Sequence, residues 1–144
     1  MDFDDTPEEA EFRLEVRSWL AEQASAYSLK SFDDLSFEQQ LSLGREFQAR
    51  KAERGYAKIT WTQELGGMGG TPMQAVIYEQ EEEKYNFPTV FFAISLGMPI
   101  PVMRRFATEA QQQRYLKPAL RGEEVWCQLF SEPSAGSDLG GIRL

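Results

Sequence analysis

From Thr6 to Gly122 the apolar positions recur every three to four residues, and each such run opens on a recognisable helix start. In Thr6-Pro7-Glu8-Glu9, a capping threonine precedes a first-turn proline, and the glutamate at the third position can reach back to the cap's own amide. Phe12, Val16, Trp19 and Leu20 then share one face. Ser36-Phe37-Glu38-Gln39 repeats the capping pattern and predicts a helix as far as Arg54. There Arg50, Lys51 and Arg54 suit the negative end of the helix dipole, and Gly55 suits a left-handed stop. Thr71-Pro72-Met73-Gln74 predicts a third helix reaching Tyr85, with Asn86 and Pro88 breaking it. Thr89–Leu96 and Val102–Phe106 read as two short, largely buried helices separated by Gly97, Pro99 and Pro101. Thr108-Glu109-Ala110-Gln111 starts the last helix, which ends near Arg121 and Gly122.

The pattern then changes. Val125-Trp126-Cys127-Gln128-Leu129-Phe130 is apolar and aromatic and reads as a buried strand. Ser131–Asp138, SEPSAGSD, has no period and is rich in small residues, so it reads as a loop. A strand that opens into such a loop lets a flat or bulky ligand approach the backbone, with amides and hydroxyls as donors. Glu132 and Asp138 carry the wrong charge for phosphate and are expected to brace the turn by accepting backbone amides. Taken by itself, the loop reads first as a tight surface turn.

Composition narrows the classes. The 144 residues favour one domain, and 42% hydrophobic with 12% aromatic content describes a folded globule. A net charge of −8 argues against nucleic acid and anionic membranes as partners, so an anionic ligand would need a local basic cluster. The single Cys127 has no intrachain disulfide partner, and without histidine a zinc site has no ligands to draw on. Met1–Asp5 is acidic and resembles neither a secretory signal nor a transit peptide; Val90–Met103 is too short to span a bilayer. These features together predict a soluble protein of a reducing compartment. Leu65–Gly70 is glycine-rich but lacks the lysine and hydroxyl of a phosphate loop, and reads as a flexible connection. Glu79, Glu82 and Glu83 read as a solvated acidic face before they read as a metal site. Tyr85, Phe87, Phe91 and Phe92 read first as core.

Three segments carry a family likeness. Gln128–Asp138, QLFSEPSAGSD, resembles the acyl-CoA dehydrogenase signature Thr-Glu-Pro-x-Ala-Gly-Ser-Asp, with Ser131 in place of the threonine. Arg54–Gly70 looks like the family's Gly-Trp/Tyr … Trp-Pro-x-Glu-x-Gly-Gly-x-Gly segment, with Thr62 where proline is usual. Phe106–Gly122 is similar to its Gly-Thr-Glu-x-Gln-Lys-x-x-Tyr-Leu-Pro-x-Leu-x-x-Gly segment, with Ala107 for the first glycine. The three follow one another in the family's order.

The resemblance implies a mainly α fold: an N-terminal helical domain over 1–122, then the first strand of an incomplete middle β-domain over 123–144. It implies a chain that is one portion of a longer flavoenzyme of lipid metabolism, inactive alone. In that chemistry a carboxylate takes the α-proton of an acyl-CoA and the β-hydrogen leaves as hydride to FAD. The product is a trans-2-enoyl-CoA, and electrons pass to an electron-transfer flavoprotein. Gln128, Phe130 and Ser131 match positions that contact the flavin, and Ser137 matches a serine near both cofactor and acyl-CoA. No glutamate of this chain matches the family's catalytic base, which lies in its C-terminal half, so no catalytic residue is assigned. Phe91–Met98 is a candidate wall for the acyl chain. The wording of the motif is most like bacterial, particularly actinobacterial, members, some acting on steroid-derived acyl groups. It implies a cytoplasmic enzyme that is a homo- or hetero-oligomer. Two other readings stay open: a same-fold oxidase of the acyl-CoA or nitroalkane type, and a non-catalytic subunit.

Overall fold

The computed structural model describes residues 4–32 and 34–143; Met1–Phe3, Asp33 and Leu144 lie outside it, so the acidic N-terminal stretch is seen only from Asp4. The described residues are mainly helical: α1 (Pro7–Tyr27), α2 (Phe37–Glu53), α3 (Pro72–Glu82), α4 (Ala93–Gly97), α5 (Pro99–Phe106) and α6 (Glu109–Leu120). Short 3-10 turns at Tyr56–Lys58, Gln63–Leu65, Val90–Phe92 and Leu139–Gly141 join or follow them. The starts of α1, α2, α3 and α6 each carry a closed capping box. In α1, for instance, the Glu9 amide donates to Thr6 Oγ1 and the Thr6 amide donates back to Glu9 Oε2. α2 stops where expected, with Gly55 at φ 76°.

Two apolar clusters hold the helices together. In the first, Phe12, Val16, Trp19 and Leu20 of α1 pack on Phe47 of α2, Tyr56, Ile59, and Ile77 and Tyr78 of α3. Its centre is aromatic: Trp19 lies 5.2 Å from Tyr56 and 5.9 Å from Phe47, and Phe47 stacks on Phe87 at 4.1 Å. Such ring pairs add attraction beyond their buried area. The second cluster joins Ala57, Trp61 and Ile100 to Leu116, Ala119 and Leu120 of α6. Buried Gln48 bridges the two halves by donating to the Leu120 carbonyl at 2.7 Å.

Five expectations need correction. α3 ends at Glu82, short of Tyr85, because the chain tightens there, with the Tyr85 amide bonding the Glu82 carbonyl. Pro99 and Pro101 do not separate helices; both sit in the first turn of α5, where the missing amides have no helical partner to lose. The short helices are not largely buried. Phe92, Ser95 and Ile100 face inward, but Val90, Ile94, Val102 and Phe106 are exposed. Val125–Phe130 is not a buried strand: among the described residues there is no ladder, only a single bridge between Glu132 and Ala135. A strand is buried by its neighbours, and none pairs with this segment. The Leu65–Gly70 connection is also tighter than expected, since the amides of Gly67, Gly69 and Gly70 bond the carbonyls of Thr62, Trp61 and Ile59.

Candidate functional site

α6 closes on Arg121 and Gly122, and the chain then turns back along the outer side of α4 and α5. Arg114 pairs with Glu124 at 2.6 Å, and the Trp126 ring stands edge-on to Tyr115 at 5.3 Å. The Trp126 amide donates to Ser95 Oγ at 2.7 Å, and Gln128 Nε2 lies 3.0 Å from Met98 Sδ. Beyond Trp126, the backbone amides of Cys127 to Ser131 donate to nothing among the described residues. Here the segment and the helices face each other across an apolar cleft of about 630 Å³. Met98, Pro99 and Val102 line one side, and Cys127, Gln128, Leu129 and Phe130 line the other. No carboxylate, lysine or arginine lines it.

The loop that follows is folded on itself. Glu132 and Ala135 exchange amide bonds at 2.7 and 3.2 Å, Glu132 Oε2 accepts the Arg143 amide at 3.0 Å, and Asp138 Oδ1 accepts the Gly140 amide at 3.0 Å. Both acids therefore brace the turn, as their charge predicted. Of the four site candidates, Gln128 and Phe130 line the cleft, whereas Ser131 and Ser137 are exposed on the turn beyond it. Of the acyl-wall candidates, Gly97 and Met98 line the cleft; Phe91 instead packs edge-on against Phe37, and Phe92 is core.

Besides Gln48, two polar residues that sequence patterns did not single out are buried. Ser95 is one, and a lone hydroxyl in an apolar helix is a signal, because a buried polar group must find a partner. Glu81 is the other. It accepts from Arg13 Nη1 at 3.1 Å and Arg17 Nη2 at 3.0 Å, and Lys84 also reaches it. The Arg17 bonds, aided by Lys84 and Arg13, hold its pKa down to about 2 against the opposing effect of burial. The spacing holds only a partial signal: Glu81 follows Ile77 by one turn and Arg13 and Arg17 stand one turn apart on α1, but nothing local pairs the two helices. Of the three acids weighed as a metal site, Glu79 and Glu83 are exposed and Glu82 is bound by Lys51 at 2.7 Å. No metal-holding cluster of His, Cys, Asp or Glu occurs among the described residues. A second cavity, of about 420 Å³ between Glu64, Glu109, Gln113 and Lys117, is lined by none of the four site candidates.

The family model described as "Acyl-CoA dehydrogenase, N-terminal domain" matches residues 6–123. The chain belongs to the acyl-CoA dehydrogenase family. Among its relatives, acyl-CoA dehydrogenase IpdE1 of Mycolicibacterium smegmatis is 32% identical over 139 residues, covering 92% of this chain and 34% of that protein. Its namesake from Mycobacterium tuberculosis is 31% identical, covering 92% and 35%. The chain thus spans about a third of the length of the curated relatives it matches. Among solved structures, the ChsE4-ChsE5 complex from Mycobacterium tuberculosis superposes with a TM-score of 0.67 at 24% identity, covering 99% of this chain and 35% of that one. The acyl-CoA dehydrogenase of Geobacillus kaustophilus gives a TM-score of 0.66 at 24% identity, covering 99% and 36%. At that identity the likeness shows the fold. Within the family domain, α4 and α5 fall inside the matched region and the cleft's other wall falls after it.

Proposed function

We propose that this chain supplies the helical domain (1–122) and the opening segment of the middle β-domain (123–144) of an FAD-dependent acyl-CoA dehydrogenase. The whole enzyme oxidises an acyl-CoA to a trans-2-enoyl-CoA in the bacterial cytoplasm and passes electrons to an electron-transfer flavoprotein, as a homo- or hetero-oligomer. The observation that carries this reading, given the family, is the row of unbonded amides from Cys127 to Ser131 beside an uncharged cleft. A flavin ring is flat and apolar, with acceptors along one edge. Those amides and the Ser131 hydroxyl fit that edge, and Phe130 fits its face. Nothing lining the cleft fits a phosphate, so the residues present make one wall of the site.

Bound FAD would supply the hydride acceptor. Gln128 and Phe130 would shape its wall, the Ser131 hydroxyl would donate toward the reduced ring, and Ser137 would lie on the substrate side. The α-proton is not assigned to an acid of this chain. Glu81 and Glu82 are committed to cations and Glu132 to the Arg143 amide.

The test is anaerobic: acyl-CoA added to the purified full-length protein should bleach its bound flavin absorbance, with enoyl-CoA formed. Rapid oxygen uptake during turnover would move the reading to the oxidases. A protein that retains no flavin would move it to a non-catalytic subunit.

A further inference from the structure

Ser95 lies in α4 at 0% exposure, and both bonds of its hydroxyl go to one residue 31 positions away. The Trp126 amide donates to Ser95 Oγ at 2.7 Å, and the Ser95 hydroxyl donates to the Trp126 carbonyl at 3.2 Å. An antiparallel neighbour offers a paired residue the same two bonds. Here one side chain supplies them.

The consequence is seen further along. Over 125–129, Trp126 and Gln128 are half-buried against the helices while Val125, Cys127 and Leu129 are exposed; at Phe130 and Ser131 both sides are exposed. That alternation is a strand's, and a slip of one residue would reverse it, turning Gln128 outward and Leu129 in. From Cys127 to Ser131 no amide is tied down, so no backbone bond within that stretch fixes the register. The Tyr115 contact holds the Trp126 ring but leaves its peptide free to rotate. The two bonds to Ser95 fix that peptide's position and roll together.

We propose that Ser95 is a register latch: a positioning residue whose hydroxyl sets which side of 126–129 meets the helices and which faces the cofactor. For its effect on FAD the inference rests on the functional reading above; for its geometry it does not.

Amide hydrogen exchange on the 144-residue chain tests the geometry. The Trp126 amide should exchange about 10-fold or more slower than those of Cys127, Gln128 and Leu129, the worth of one net hydrogen bond. Ser95→Ala should bring Trp126 to its neighbours' rate with α6 amides unchanged, and Ser95→Thr should keep it protected. The cofactor arm uses the full-length protein loaded with FAD. There Ser95→Ala should weaken FAD binding about 10-fold and shift the flavin absorption band, and Ser95→Thr should restore both. Equal exchange at Trp126 and its neighbours in the unsubstituted chain overturns the latch. So does a threonine variant with intact α6 protection but a freely exchanging Trp126. So does Ser95→Ala that frees Trp126 while flavin affinity and absorption stay unchanged. An unsubstituted full-length protein that binds no flavin overturns the functional reading instead, and exchange at Trp126 still decides the latch.

Discussion

Glu81 shows how much one side chain can carry. It is 1% exposed, yet it is ionised, because Arg13, Arg17 and Lys84 converge on it. Removing one partner of such a group leaves charge without compensation, which typically costs 3–5 kcal/mol when fully buried. Arg17 and Lys84 are half exposed, so Glu81→Gln should cost less, about 2–3 kcal/mol, read as a lower urea midpoint at unchanged m-value. Its pH dependence has a definite sign. The folded pKa, about 2, lies below the ordinary 4.5, so the folded state binds fewer protons between them. The stabilisation is complete above about pH 4.5 and is lost as pH falls toward 2; the arginines do not titrate there. Glu81→Gln should therefore flatten that acid limb of the stability curve, and a limb of unchanged slope would refute the role. Ser131 belongs to the functional reading. If its hydroxyl donates to the flavin, Ser131→Ala in the full-length enzyme should slow flavin reduction by about 5–150-fold, equivalent to roughly 1–3 kcal/mol, with acyl-CoA binding nearly unchanged. Stopped-flow traces that superpose with the unsubstituted enzyme's would restrict Ser131 to its backbone amide. The motif's acids could be placed from their charge alone. Ser95 and Glu81 could not, because Trp126, the partner of Ser95, and Arg13 and Arg17, the arginines on Glu81, stand 31 to 68 positions away.

At the level of elements, the helix starts were the most legible feature, because a capping box is complete within four residues. Helix ends were less so. Gly55 and Gly122 marked α2 and α6 correctly, but nothing local distinguished Glu82 from Tyr85 as the end of α3. Gly122 yields a sharp expectation. Its φ is 72°, and a Cβ there would lie 2.8 Å from Phe92 Cε1 and 3.1 Å from Gln48 Cγ. Gly122→Ala thus adds left-handed strain to a collision with two buried side chains, and should cost about 2–4 kcal/mol in thermal or urea unfolding. A loss below 0.5 kcal/mol would mean that the α6 terminus shifts without cost. The least legible element was Val125–Phe130. Its apolar run read as a buried strand, but burial of a strand is decided by other strands, which this stretch of sequence does not contain.

For the whole molecule, apolar surface is unevenly spent. The inner faces close two cores, yet Phe106 is 74% exposed, Phe130 79% and Leu129 89%, with Ile94 and Val102 exposed on the helices that wall the cleft and Val90 exposed on the turn before them. Isolated exposed apolar residues are ordinary; several gathered around one cleft mark a surface built to be covered. The amides of Cys127 to Ser131 add an unpaired edge to it. Residues 1–144 alone should therefore self-associate and bind an apolar dye while showing strong helical circular dichroism. FAD should bind them weakly, since one wall buries too little of a cofactor to offset the loss of its freedom. Replacing Leu129 and Phe130 together by serine should reduce association and dye binding but leave the helical signal, because neither residue belongs to the two cores. Sedimentation and dialysis decide the matter together. A monodisperse chain that ignores the dye would mean that this face is stable in water, whereas tight one-to-one FAD binding would mean that the cleft is already a whole site.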